Sequence, residues 1–336
     1  MDKTHLSRNL ENQGTTLSAA SNYQDFYESL LGPLRGGGTD GNCSAFCPLH
    51  GEVAGESKPS LSVNVETGLW YCFAGCGGGT AKTFLRELEY NRSEIDRLTS
   101  RLPRPGVRKR RKITRVGGQI VLPEMLLGVF QKCRIELIDA GFCERVLYDH
   151  DIGFDDDYGR ITFPVRTKTG QLVGIVGRQK DTRYGKYKVY TKELRKYGFN
   201  VESFPKGDYL WREGKAAAAL GRNGDLYVVE GFKAALWFAQ SGVDTVVALM
   251  GSKLSERQQK SLISYGKRII LCLDNDDAGQ KATLEICHKL RGTRRYIVPL
   301  PEGIKQPDDL SEFELLDQIQ TPINLSEARK RWQRSL

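Results

Sequence analysis

Apolar positions change their spacing along the chain, and the changes divide it into three parts. In residues 22–100, YQDFYESLLGPL carries Phe26, Leu30 and Leu31 at helical intervals and stops at Gly32-Pro33, which predicts a helix. PSLSVNVETGLWYCF alternates on both sides of Glu66-Thr67-Gly68 and predicts a hairpin. TAKTFLRELEY predicts a helix capped by Thr80, with Phe84, Leu85 and Leu88 on one face. In residues 119–223, RIELIDAGF reads as helical. GRITFPVRTKTGQLVGIVGRQ reads as two strands around a Lys168-Thr169-Gly170 turn. From residue 224 the apolar runs become continuous: LYVVE, DTVVALM, RIILCLD and RRYIVPL predict strands. FKAALWFAQSG, SERQQKSLISYG and AGQKATLEICHKL between them predict helices. Uninterrupted apolar strands separated by helices mean a buried parallel sheet. The fold class is therefore multidomain α+β and α/β. Expected boundaries are 1–21 (a flexible tail), 22–100, 101–118 (a linker), 119–223, 224–315 and 316–336 (a C-terminal tail or helix).

Composition narrows the classes. A chain of 336 residues exceeds the usual single domain, and 39% hydrophobic residues suffice for real cores. No apolar run is long enough to span a membrane, and the polar N-terminus lacks a secretory apolar stretch, so the expected location is cytoplasmic. In a reducing compartment, clustered cysteines among the eight read as metal ligands and not disulfides. Cys133, Cys143, Cys272 and Cys287 lie scattered in apolar segments and read as small buried hydrophobes. The formal charge of +9 points to a polyanionic partner, and RLPRPGVRKRRKITR (101–115) holds much of the excess with no acidic residue.

Cysteine spacing supplies the first candidate chemistry. CPLH places two residues between Cys47 and His50, and CFAGC places three between Cys72 and Cys76, beside a run of glycines. Two knuckles joined by a hairpin offer the four soft or borderline donors that zinc takes in a closed, structural tetrahedron. The best set is Cys47, His50, Cys72 and Cys76, with Cys43 as an alternative fourth ligand.

The second chemistry is acidic. Glu230 ends one expected parallel strand, and Asp274, Asp276 and Asp277 end another. The carboxyl ends of such strands are where sites form. Carboxylates converging there invite a hard cation, magnesium or manganese. The plainer alternative is a polar turn in which an aspartate caps the next helix. Asp308 and Asp309 offer a later carboxylate. Arg160, Arg166, Arg178, Lys186, Lys188 and Lys206, interleaved with Tyr184, Tyr187, Tyr190 and Tyr209, combine phosphate-binding cations with faces on which bases stack.

Taken together these motifs resemble one family, the bacterial and phage DnaG-type DNA primases, over roughly residues 22–315 and in that family's order of parts. CPLH and WYCFAGCGGG resemble its zinc-binding domain; GRITFPVRTKTGQLVGIVGR, KYKVY and FPKGDYLW resemble the basic N-terminal lobe of its RNA-polymerase core. LYVVEGFKAALWFAQSG, VVALMG and IILCLDNDDAGQKA resemble its Toprim subdomain. The resemblance implies de novo synthesis of short RNA primers on a single-stranded DNA template, from ribonucleoside triphosphates, by nucleotidyl transfer that needs magnesium or manganese. It implies that the zinc-binding domain helps recognise the start sequence. By position, Glu230, Asp274, Asp276 and Asp308 match the family's catalytic acids, the first three as metal ligands. Arg160, Arg178, Lys186, Tyr187 and Lys206 match its template- and nucleotide-contacting positions. The sequence departs from the pattern at Ala234 and Gln306, where the family carries aspartates, and in its longer second knuckle. Its length leads to the expectation of a compact form without the helicase-binding C-terminal domain, of the kind phages or mobile elements carry, with any replicative helicase a separate chain. A Toprim-type nuclease and a non-catalytic single-stranded DNA-binding replication protein are the alternatives.

Overall fold

The computed structural model describes residues 18–37, 41–50, 59–74, 76–103, 114–116, 119–132, 137–155, 157–179, 187–197, 199–201, 204–221 and 224–334. Most of the basic linker, together with Lys186, Tyr184 and Cys133, lies outside them. The chain forms two compact units: residues 1–132, 153–162 and 176–202, and residues 133–152, 163–175 and 203–336.

The first unit opens with α1 (Tyr23–Leu31), capped by Asn22, whose side chain accepts from the Asp25 amide, and ended by Gly32 at φ 74°. An antiparallel sheet follows in sequential order: β1 (Arg35–Gly36), β2 (Asn42–Ala45), β3 (Leu61–Asn64), β4 (Leu69–Cys72) and β5 (Gly77–Thr80). The β3–β4 turn is closed by Asn64 Oδ1, which accepts from the amides of Glu66 and Thr67 and from the Thr67 hydroxyl. Gly68 then takes φ 68°, a left-handed value that a side chain resists. Strand alternation turns Val63, Trp70 and Cys72 inward, where they pack with Tyr27, Phe84 and Leu85. Thr80 caps α2 (Ala81–Glu87), as its sequence predicts, and Asn91 with Glu94 forms a reciprocal capping box on α3 (Arg92–Thr99). A short hairpin, β6 (Thr114–Val116) with β7 (Gln119–Val121), leads to a 3-10 turn at Glu124–Val129.

A second antiparallel arrangement has the order β12-β11-β10-β9-β8, built from β8 (Gln131–Lys132), β9 (Gly153–Asp155), β10 (Arg160–Arg166), β11 (Leu172–Gln179) and β12 (Tyr187–Val189). The turn between β10 and β11 closes at Thr167, which accepts from the Gly170 amide and donates to the Gln171 carbonyl, with Gly170 at φ 89°. This is the hairpin read from the sequence.

The second unit holds α4 (Glu144–Asp149), α5 (Glu213–Ala219) and a four-stranded parallel sheet of order β14-β13-β15-β16. Its strands are β13 (Asp225–Val229), β14 (Val246–Ala248), β15 (Arg268–Leu271) and β16 (Arg295–Ile297). The connecting helices are α6 (Phe232–Gln240), α7 (Glu256–Ser264) and α8 (Asp277–Lys289). Leu226, Val228, Val247, Ile269 and Leu271 are fully or almost fully buried, which explains why these strands read as unbroken apolar runs. At the C-terminal end, α9 (Glu312–Gln318) precedes α10 (Leu325–Arg334), which sends Ala328 into this core.

Two expectations need correction. The described part of RIELIDAGF is a turn, because Leu137 O accepts from the Ala140 and Phe142 amides and Gly141 reverses the chain at φ 91°. Cys143 is exposed, not buried, because it stands at the start of α4, where its amide donates to Gln240 Oε1 at 2.8 Å. Cys272 and Cys287 are buried, as expected. Among the described residues no helix is long and apolar enough to cross a membrane.

Candidate functional site

The zinc-type ligands come from three places on the first sheet. Cys47 precedes and His50 ends a 3-10 turn (Pro48–His50) after β2, Cys72 ends β4, and Cys76 precedes β5. One ligand atom from each of the four lies within 4.8 Å of the other three. In a tetrahedron with bonds of about 2.3 Å, ligand atoms stand about 3.8 Å apart, so the donor set and its spacing both fit zinc. Cys72 accepts hydrogen bonds from Cys47 and Cys76, which hold its thiol far below the ordinary range. Its own bonds to Cys72 and Cys76, reinforced by burial, push Cys47 far above it. The His50 ring is held through Nε2 by the Ser60 hydroxyl at 3.0 Å, an orienting contact of the kind metal-binding imidazoles use. Cys43 stands apart from the four, with its sulphur 3.8 Å from the Gly36 carbonyl.

The outer face of this sheet carries a feature the sequence reading did not single out. Cross-strand register places Arg35, Ser44, Ser62 and Tyr71 in one row. Phe46 and Phe73, one residue beyond β2 and β4, continue the same alternation. Phe73 is 66% exposed and edge-on to Tyr71, with ring centroids 5.1 Å apart. The Arg35 guanidinium lies 5.1 Å from the Phe46 ring centroid. The alternating aromatics of WYCF were the available signal.

In the second unit, Glu230 is one residue beyond β13 and Asp274 three beyond β15, on neighbouring parallel strands paired through Val228 and Leu271. Backbone bonds fix both ends: Gly251 N donates to Glu230 O at 3.3 Å, and Cys272 N to Val228 O at 2.9 Å. Gly279 in α8 lies so close to the Asp274 carbonyl that any Cβ there would collide with it. Asp276 is exposed and caps α8, accepting from the Gly279 amide at 2.8 Å. Asp308, in a 3-10 turn at Pro307–Asp309, is almost wholly buried and accepts from Lys233 Nζ at 2.7 Å. Glu230 and Asp274 beyond the strand ends, with Asp276 at the start of α8, are hard oxygen donors, a set suited in kind to magnesium or manganese. Among the described residues, only the Cys/His cluster brings three or more ligand groups within 4.8 Å of one another. Lys233 was missed in the sequence. Its signal was its position, since a cation in the first turn of a helix opposes the helix dipole unless an anion holds it.

The basic positions divide by environment. Arg160 is buried at the start of β10, paired with Glu193 at 3.3 Å and flanked by the rings of Tyr158 and Tyr190. Glu193 also holds Lys188 at 3.0 Å, and Tyr190 donates to Asp155 at 2.8 Å. Arg178 on β11 stands opposite Tyr187 on β12, and its buried Nε has no hydrogen-bond partner among the described residues. Lys206 donates to the Met250 carbonyl at 3.1 Å, beyond the carboxyl end of β14. Its turn is tied to α7 by Ser255, which donates to Gly207 O, and by Arg257, which pairs with Asp208 at 2.7 Å.

Residues 227–311 match a protein family described as Toprim-like. The chain is 27% identical over 332 residues to a DNA primase of Lactococcus lactis, an alignment covering 82% of this chain and 49% of that protein. It is also 27% identical over 318 residues to a DNA primase of Thermotoga maritima, with 80% and 54% covered. The chain thus spans about half the length of these curated relatives. Among solved structures, it superposes on the zinc-binding and RNA-polymerase domains of the Aquifex aeolicus primase with a TM-score of 0.54. That match covers 97% of this chain and 89% of the other at 18% identity, a likeness of fold.

Proposed function

We propose that this chain, a Toprim-domain homologue of bacterial DnaG-type DNA primases, makes short RNA primers de novo on single-stranded DNA. The observation that carries the reading is the pairing of a closed four-ligand Cys/His cluster with carboxylates at the ends of a parallel sheet, within homology over most of the chain. In the reaction, the 3′-hydroxyl of one nucleotide attacks the α-phosphate of a second triphosphate, and pyrophosphate leaves. Magnesium or manganese, when bound, would supply charge neutralisation for the attacking and leaving oxygens.

Glu230, Asp274 and Asp276 would hold that cation. Asp276 also fixes the entry to α8, while the close approach of Gly279 keeps the Asp274 backbone in place. Lys206, held at the end of β14, would neutralise nucleotide phosphates, and Arg178 beside Tyr187 would hold the template backbone. Lys186 has the same role by position. Arg160 supports that lobe from within, through Glu193, which also fixes Lys188. Zinc on Cys47, His50, Cys72 and Cys76 would hold the first sheet rigid, so that Phe46, Tyr71 and Phe73 present stacking faces to template bases. A replicative helicase, where one is engaged, is a separate partner.

Glu230→Gln tests this directly, with labelled nucleotides, a panel of single-stranded templates and either metal. Short template-dependent products should disappear in the variant, while DNA affinity stays within about twofold of wild type. Equal loss of DNA binding would reject Glu230 as a chemical participant. Silence of the wild type on every template, with DNA binding intact, would favour a binding role, and release of cut DNA without nucleotides would favour a nuclease.

A further inference from the structure

We propose that Lys233 is a resident cation of the carboxylate site: it satisfies Asp308, so that Asp308 is not a metal ligand in this chain. The inference rests on the Toprim reading of the site given above, and it concerns which acids that site uses. Lys233 lies in the first turn of α6, three residues after Glu230 and two after Gly231, the N-cap position of the helix. The exposed amides at a helix start carry partial positive charge, so an ammonium there is opposed unless an anion answers it. Asp308 answers it at 2.7 Å, and the two side chains are only 22% and 3% exposed. The Phe142 ring adds an electron-rich face 5.6 Å from Nζ. Asp308 is in turn fixed by its own short turn, where the Gln306 amide donates to Asp309 at 3.0 Å.

This geometry has a chemical consequence. A carboxylate this buried needs a positive partner, and Lys233 provides one that does not dissociate into solvent. A divalent ion could reach Asp308 only by displacing a covalently attached competitor already at contact distance. The cation requirement therefore falls on Glu230 and the aspartates after β15, while Lys233 holds the Pro307–Asp309 turn against α6. Removing the ammonium should open Asp308 to an ion the native chain does not bind there.

The test uses the full chain with zinc loaded, so that the Cys/His cluster is filled, and titrates it with Mn2+ while unbound Mn2+ is followed by electron paramagnetic resonance. Asp308→Asn should leave Mn2+ affinity within about twofold of wild type, whereas Glu230→Gln should weaken it at least tenfold. Lys233→Met should raise stoichiometry by about one ion or affinity by about tenfold. Because a single change strands the other member of a buried pair, the apolar exchange Lys233→Met with Asp308→Leu is made as well, and it should bind Mn2+ as wild type does. Loss of binding in Asp308→Asn and in the apolar exchange as deep as that in Glu230→Gln would overturn the inference alone, since Asp308 would then be a ligand. Mn2+ binding indifferent to Glu230→Gln would overturn the site itself, and this inference with it.

Discussion

His150 shows how a single buried side chain ties stability to pH. Its Nε2 accepts from Arg212 Nε at 2.7 Å, so the proton must reside on Nδ1, which donates to Val146 O at 2.7 Å. Arg212 itself stands in the left-handed region at φ 67° and makes three further bonds, to the carbonyls of Asp244 and Val246 and to the Asp244 carboxylate. Burial, and then the Arg212 charge, lower the His150 pKa to about 3; Lys215 acts in the same direction, while the Val146 contact and Asp244 oppose it. The unfolded chain takes up a proton near pH 6.5 that the folded chain refuses until about pH 3. Stability is therefore full above pH 6.5 and falls as the pH drops through that window, by up to about 1.4 kcal/mol per pH unit. Urea midpoints between pH 7 and 5 should decline for wild type and decline less for His150→Gln; parallel lines would remove His150 as the cause. The sequence displays the histidine but not its partner, because Arg212 is 62 residues away.

At the scale of elements, β5 is a strand of three glycines and a threonine, which no strand propensity would favour. Pairing with β4 and close docking explain it. A Cβ on Gly128, in the 3-10 turn at Glu124–Val129, would sit 2.6 Å from Trp70 O, 2.8 Å from Gly79 N and 2.9 Å from Gly78 Cα. All three are backbone atoms that cannot step aside. Gly128→Ala should cost about 1–3 kcal/mol by overpacking, read as a lowered urea midpoint. Gly221→Ala, which would meet nothing within 4 Å, should stay within about 0.5 kcal/mol. Equal effects in the two variants would refute the close-docking account. The sequence shows the glycines, and their role as a turn beside Cys76 is legible there. That they form a packed strand is not, because the surface they meet lies some fifty residues away in the chain. The helices and parallel strands after residue 224 were legible throughout, since each declares itself in a continuous local pattern.

For the whole molecule, the proposed template role predicts that the +9 charge makes any binding to single-stranded DNA salt-dependent. With about three phosphate contacts, the logarithm of affinity should fall with a slope of about −2 against the logarithm of salt. Fluorescence anisotropy between 50 and 300 mM salt measures this, and a flat response would rule out phosphate contact as the source of affinity. Two cores, one beside the Cys/His cluster and one around the parallel sheet, support the two candidate sites. The sequence by itself determined most of the kinds of element and the residue types at each candidate site, because hydrophobic period, glycine turns and cysteine spacing act over a few residues. Only the tertiary structure decided how those residues are used. It gathered His50 and not Cys43 with the three cysteines, made Asp276 a helix cap, buried Arg160 against Glu193 and closed Asp308 with Lys233. The pairings of Arg160 with Glu193 and of Asp308 with Lys233 span 33 and 75 residues. Charge pairing and burial act through space, and no local pattern along the chain encodes which distant partner arrives.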